Sequence, residues 1–209
     1  PISMAGWKLG PAIAAGNAVV LKPSEMTPFS TLYMAELAVR AGIPRGLINI
    51  VLGDGQITGN AITGHPDVSK VSFTGSTVAG GAIMQNIART GVKPMTLELG
   101  GKSPQVVFAD ADLELAASAI AQGILANAGQ ACVAGSRLIA SEEIADALVA
   151  AIARHMANIR PGVTWDEETQ YSPIISRHQI DRIDAIVRKS VGEGAECVVG
   201  GRIMERSGY

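Results

Sequence analysis

Short runs rich in β-branched residues, at residues 18–21, 47–52, 68–73, 95–99 and 105–108, alternate along the chain with segments whose apolar residues recur at helical spacing. Strands separated by helical segments of this length predict parallel pairing with helices as crossovers, and right-handed connections follow from the twist of the strands. The first helical segment opens with Thr27 as a candidate cap and Pro28 in the first turn. It places Leu32, Leu37 and Ala38 on a face expected to pack on the sheet, and stops at Gly42. Two more helices are predicted over 76–89 and 112–126. From about Gly100 a second unit is expected, with a strand at 137–140, a helix over 142–158, an irregular stretch at 161–173, a helix over 176–190 and a strand at 196–199. The predicted fold is α/β: a Rossmann-like doubly wound parallel sheet over residues 1–100, followed by the start of a second α/β domain over 101–209.

Composition narrows the function classes. With 209 residues, 47% hydrophobic and 17% charged, the chain can bury a substantial core. A net charge of −2 offers no field for nucleic acid or an anionic membrane surface, so neither is expected as a partner. The apolar stretch 12–21 is interrupted by Gly16 and Asn17 and falls short of the roughly 20 residues a spanning helix needs. Cys132 and Cys197 stand far apart, which argues against a disulfide framework and for a reducing, cytoplasmic setting. His65, His155 and His178 have no carboxylate or thiol partners at ligand spacing, so no metal site is expected. The opening PISMAGWKLG has neither the basic start nor the cleavage site of a signal peptide, and the chain reads as excised from something longer.

Three places could carry chemistry. In NAGQACVAGSR, residues 127–137, a cysteine surrounded by small residues follows a predicted helix. The Cys132 thiolate would be accessible as a nucleophile and its own N–H could donate to an oxyanion; an inert buried thiol is the alternative. Glu98 lies in MTLELGG between Leu97 and Leu99. Burial there would penalise the charged carboxylate and suit a base poised near neutral pH. Pairing with Lys102 or capping a helix is the alternative for Glu98, and Gly100 and Gly101 behind it would let a ligand approach closely. Lys22, Pro23, Ser24 and Glu25 follow a predicted strand and so lie at the carboxyl edge where ligands bind in such folds, although exposed Lys and Glu are common anywhere. In SFTGSTVAGG a strand runs through Phe73 into Thr74, Gly75 and Ser76, then into a helix whose first N–H groups suit pyrophosphate. Gly53, Gly55 and Gly59 are spaced GxGxxxG rather than GxGxxG and are weak evidence alone.

Taken together and in order, WKLGPAIAAGNAVVLKPSE, FTGSTVAGG, TLELGGKSP and NAGQACVAGSR resemble the aldehyde dehydrogenase superfamily across essentially the whole chain. The resemblance implies residues 1–100 as part of an NAD(P)-binding domain and 101–209 as the N-terminal part of a catalytic domain. It implies Cys132 as nucleophile and Glu98 as the base that deprotonates the water cleaving a thioester. It implies Lys22 and Glu25 at the adenosine ribose, Gly55 and Gly59 along the adenine and Ser76 at the pyrophosphate, with Ser24, Phe73, Thr74 and Gly75 as further cofactor-binding positions. Leu99 is implied near the nicotinamide, and Gln179 as a cofactor contact from the second unit. NAD is the implied cofactor, with NADP possible, an aldehyde the substrate, and a homodimer or homotetramer the assembly. A CoA-acylating relative is less favoured, because that class generally lacks a carboxylate where Glu98 stands; a non-catalytic dinucleotide binder, or a thiol-dependent esterase activity of the same cysteine, are the other readings. The chain also begins after the family's PWN segment, whose Asn completes the oxyanion hole, and stops before an EIFGP-like motif. The 209-residue piece alone is therefore expected to be inactive.

Overall fold

The computed structural model describes residues 1–157 and 159–204. The chain divides into two compact units, Pro1–Gly100 and Gly101–Tyr209.

The first unit runs α1 (Ile2–Ala14), β1 (Val19–Leu21), α2 (Phe29–Arg40), β2 (Ile48–Ile50), a π-helical turn (Gly55–Gly59), α3 (Asn60–Gly64), β3 (Val71–Thr74), α4 (Thr77–Thr90) and β4 (Met95–Glu98). The second contains β5 (Pro104–Val107), α5 (Leu113–Leu125), a 3-10 turn (Ala126–Gly129), β6 (Arg137–Ala140), α6 (Glu142–Ala157) and α7 (Arg177–Gly192). Among the described residues the strands pair two by two, β1 with β2, β3 with β4 and β5 with β6, every pair parallel. A parallel pair needs a crossover. In each pair a helix lies between the strands in the chain, so the architecture is a Rossmann-like α/β succession of βαβ units.

Polar caps start the helices where the pattern placed them. Ser76 Oγ accepts from Ala79 N–H at the start of α4, Asp112 from Leu115 N–H at α5, and Ser176 from Gln179 N–H at α7. Thr27 does not act this way: α2 begins at Phe29, and Pro28 lends its carbonyl to Thr31 and Leu32 without any side-chain cap. The inward face of α2 also differs from expectation. Thr31 is buried and Met34, Ala35 and Ala38 are partly buried, at the i, i+3, i+4, i+7 spacing of one face, whereas Leu32 and Leu37 are exposed. Thr31 can sit inward because its neighbours on that face are small or flexible.

The predicted strand at 68–73 is shorter than its apolar run. Val68 N–H closes a turn onto the His65 carbonyl, and the ladder begins only at Val71, whose N–H reaches the Pro94 carbonyl. Helix α1 lies in a stretch to which the sequence pattern assigned no element. The helix runs through Pro11 and anchors itself by burying Ala5 and Leu9. Residues 196–199 form no strand: no described strand pairs with them. Val198 and Val199 instead help line an apolar depression of about 270 Å³ with Ile124, Leu138, Ile152 and Met156. The last predicted residue of the 142–158 helix lies outside the described residues.

The core of the second unit is Val107 on β5, Ala117 and Ile120 on α5, and Leu148 and Ala151 on α6, with Leu113, Leu138 and Ile144 packed around them. Leu148 is fully buried. Its truncation in Leu148→Ala is expected to cost about 2–5 kcal/mol, read by chemical denaturation, because a close-packed site cannot collapse around the missing atoms. In the first unit Asn86 of α4 donates to Thr63 Oγ1 (2.8 Å) and to the Asn60 carbonyl (2.9 Å), tying α3 to α4.

Candidate functional site

Cys132 follows α5 through a tight reversal. The helix gives way to the 3-10 turn, in which Asn127 and Ala128 take left-handed backbone angles (φ 53° and 55°) and Gly129 continues at φ 71°. The next residues form a second turn closed by Ala134 N–H on the Ala131 carbonyl, and this turn carries Cys132 exposed at its bend. Both flanks of this turn are close-fitting. A Cβ on Gly101 would lie 2.8 Å from the Cys132 carbonyl oxygen, and one on Gly135 would lie 2.4 Å from Gln105 Cδ. Gln105 Nε2 also donates to the Gly135 carbonyl at 2.8 Å. The small residues around the thiol are thus required by backbone approach as well as by access.

In the first unit the structure brings several candidate residues to one strand edge. Thr74 and Glu98 are register partners at the carboxyl ends of β3 and β4, and Gly75 N–H donates to the Glu98 carbonyl at 3.0 Å. Ser76 follows as the cap of α4. Phe73 folds back under this bend, where a Cβ on Gly75 would meet its ring at 2.5 Å. Leu99 packs on α4, where a Cβ on Gly80 would come within 3.0 Å of Leu99 Cδ2. Glu98 itself is exposed, so the expected burial between Leu97 and Leu99 is not found. Alternation explains this: along β4 the partly buried positions are Met95 and Leu97, which turns Thr96 and Glu98 to the other face.

A second group gathers at the carboxyl ends of β1 and β2. Lys22 Nζ donates to the Gly53 carbonyl (2.9 Å) and the Pro23 carbonyl (2.8 Å), and its ammonium stands 3.5 Å from Glu25 Oε2. The Lys22 side chain is largely covered and the Glu25 carboxylate is exposed. Ser24 Oγ accepts from Met26 N–H and shapes this bend locally. Gly53 has φ 138°, and Asp54 Oδ1 accepts from Ile57 N–H (2.7 Å) to start the π-helical turn that contains Gly55 and Gly59. A Cβ on either Gly55 or Gly59 would meet open space. Gln179 is placed in the first turn of α7, in the second unit.

The sequence profile of the Aldehyde dehydrogenase family matches residues 1–209. This chain belongs to the aldehyde dehydrogenase family. An aldehyde dehydrogenase of Emericella nidulans is 44% identical over all 209 residues, which span 42% of that protein's length. Betaine aldehyde dehydrogenase of Staphylococcus aureus, solved in complex with NAD+, superposes with a TM-score of 0.92 at 40% identity, over 97% of this chain and 40% of its own. A 3,6-anhydro-L-galactose dehydrogenase solved with NADP gives a TM-score of 0.93 at 37% identity, over 99% of this chain and 43% of its own. The chain therefore spans about two fifths of the length of these members of the family.

One side chain bonded to β3 was not singled out in the sequence. Lys8 on α1 donates to Ser72 Oγ at 3.0 Å. Burial pulls its ammonium below the usual lysine range, and the nearby Glu98 carboxylate partly offsets that pull. Its signal was present, since Lys8 is the only charged side chain between Pro1 and Leu21. Among the described residues no group of three or more His, Cys, Asp or Glu side chains could hold a metal ion, and no helix is long and apolar enough to cross a membrane.

Proposed function

We propose that this chain belongs to an enzyme that oxidises an aldehyde to a carboxylic acid with NAD+, with NADP as a possible alternative. Pro1–Gly100 would form part of the cofactor-binding domain and Gly101–Tyr209 part of the catalytic domain. The observation that carries the reading is Cys132, exposed at the bend of the turn that follows α5 in a chain of the aldehyde dehydrogenase family.

The residues present fit a dinucleotide. Glu25 and Lys22 stand side by side beyond the end of β1, so a carboxylate can accept from ribose hydroxyls while an ammonium is held beside it. Ser24 belongs to the same bend, and Gly55 and Gly59 leave open space along the loop that Lys22 holds. Thr74, Gly75 and Ser76 lead into α4, whose N-terminal end favours an anionic pyrophosphate. Phe73 and Leu99 wall that strand edge, and Gln179, in the first turn of α7, is proposed as a further cofactor-binding residue. The exposed Glu25 carboxylate would repel a 2′-phosphate, which favours NAD.

In the reaction, the Cys132 thiolate attacks the aldehyde carbon and forms a thiohemiacetal, with the Cys132 N–H donating to its oxyanion. NAD+, when bound, supplies the acceptor for the hydride that leaves this carbon. The C–S bond of the resulting thioester is then broken by a water whose proton passes to Glu98, which regenerates the Cys132 thiolate and releases the acid. Two free cysteines, one of them the nucleophile, suit a reducing compartment such as the cytoplasm. A homodimer or homotetramer of the full-length protein is the proposed assembly.

The test is NADH formation by the full-length protein over a panel of aliphatic and aromatic aldehydes. Turnover of at least one of them is expected; NAD+ binding without turnover of any would favour a non-catalytic binding protein. Lys22→Ala and Glu25→Ala are each expected to weaken NAD+ affinity by about 5- to 100-fold through lost hydrogen bonds to charged groups. Titration of cofactor by calorimetry reads this, and unchanged affinity in both would remove them from the cofactor site.

A further inference from the structure

Gln130 stands two residues before Cys132 and uses both ends of its side-chain amide. Its Nε2 donates to the Asn127 carbonyl (3.2 Å), while Asn127 Nδ2 donates back to the Gln130 carbonyl (3.1 Å). Its Oε1 accepts from Ile175 N–H at 3.0 Å, 45 residues along the chain. Ile175 directly precedes Ser176, the cap of α7, so its backbone is held by the start of that helix. The segment clamped by the Asn127–Gln130 pair contains three successive left-handed residues, two of which are not glycine. L-residues seldom adopt that conformation in series, and it persists only where surrounding bonds over-determine it.

We infer that Gln130 is a positioning residue for Cys132. By fastening the left-handed turn to the backbone at Ile175, it sets the direction from which the thiolate meets the aldehyde carbon. The inference rests on the reading of Cys132 as nucleophile. Donor and acceptor have separate work here. Glu in place of Gln would keep the acceptor for Ile175 N–H and lose the donation to Asn127, whereas Met would keep the length and lose both bonds. Displacing a reacting atom by about 1 Å can cost on the order of 100-fold in rate, while binding of substrate to the remaining contacts need not change.

The experiment compares Gln130→Met and Gln130→Glu with the parent in the full-length protein, measuring kcat and KM for an aldehyde that it turns over and the rate of Cys132 alkylation by iodoacetamide across pH. Gln130→Met is expected to lose about 10- to 100-fold in kcat with KM within about threefold, and Gln130→Glu to recover most of that loss. Alkylation, which tolerates many approach directions, should stay within about threefold in Gln130→Met. If Gln130→Met does not fold, Gln130→Asn takes its place, because it keeps the amide but draws it back by one methylene. The inference is overturned if the folded variant keeps kcat within about twofold, if Gln130→Glu fails to rescue, or if kcat and alkylation fall together. A Cys132→Ala control separates the two readings. Turnover surviving in that control sinks the nucleophile assignment and this inference with it; a silent control beside unaffected Gln130 variants sinks this inference alone.

Discussion

Replacing Cys132 with alanine in the full-length protein is expected to lower aldehyde-dependent NADH formation by about 10³-fold or more, because in the proposed reaction the thiohemiacetal from which hydride leaves forms on this thiol. The same substitution should remove any cofactor-independent hydrolysis of activated esters, which needs the same thiolate. Stability should change little, since Cys132 is exposed at the bend of its turn. Thermal melting of the variant beside the parent therefore separates lost chemistry from lost fold. NADH formation persisting in a well-folded Cys132→Ala protein would mean that another group carries the covalent step. Cys197, the second free thiol, is exposed between α7 and the end of the described chain, and Cys197→Ala is the matching control.

Glu98→Gln should produce a different signature. The amide cannot take a proton from water, so thioester cleavage should slow by about 10²- to 10⁴-fold while the earlier steps continue. Stopped-flow absorbance should then show one equivalent of NADH per Cys132 in a burst, followed by a very slow steady state. Loss of the burst along with the steady state would place Glu98 before hydride departure, for instance in generating the Cys132 thiolate. A steady state equal to the parent's would remove Glu98 from catalysis. The exposure of Glu98 makes the experiment clean, since exchanging one exposed polar side chain for another of the same shape disturbs little packing.

The two groups of candidate site residues in the first unit differ in what holds them in place. Thr74, Gly75, Ser76, Glu98 and Leu99 are held together by a parallel register, a backbone hydrogen bond and side-chain packing on α4. Lys22 and Glu25 are held by hydrogen bonds to carbonyls of two loops and by their own ion pair. That ion pair, with one partner exposed, contributes little to stability in itself. In the proposed cofactor site its value would be to bias the direction of the carboxylate, which leaves less side-chain freedom to lose on binding.

The kind and order of most elements, together with the candidate residues for the chemistry, were legible in the sequence alone. Helical and strand periodicities are local properties, and Ser76, Asp112 and Ser176 mark helix starts through bonds that span three residues. The four motif strings were equally legible because each is contiguous. Tertiary structure decided the facing and the pairing. Leu32 and Leu37 turn outward while Thr31 is buried, the alternation of β4 leaves Glu98 exposed, residues 196–199 form no strand, and α1 passes through Pro11. The bonds from Lys8 to Ser72 and from Gln130 to Ile175 join residues 64 and 45 positions apart. The physical reason is common to all of these. Burial and hydrogen bonding depend on which distant groups arrive beside a residue, and spacing along one segment carries no record of what the rest of the chain brings to it.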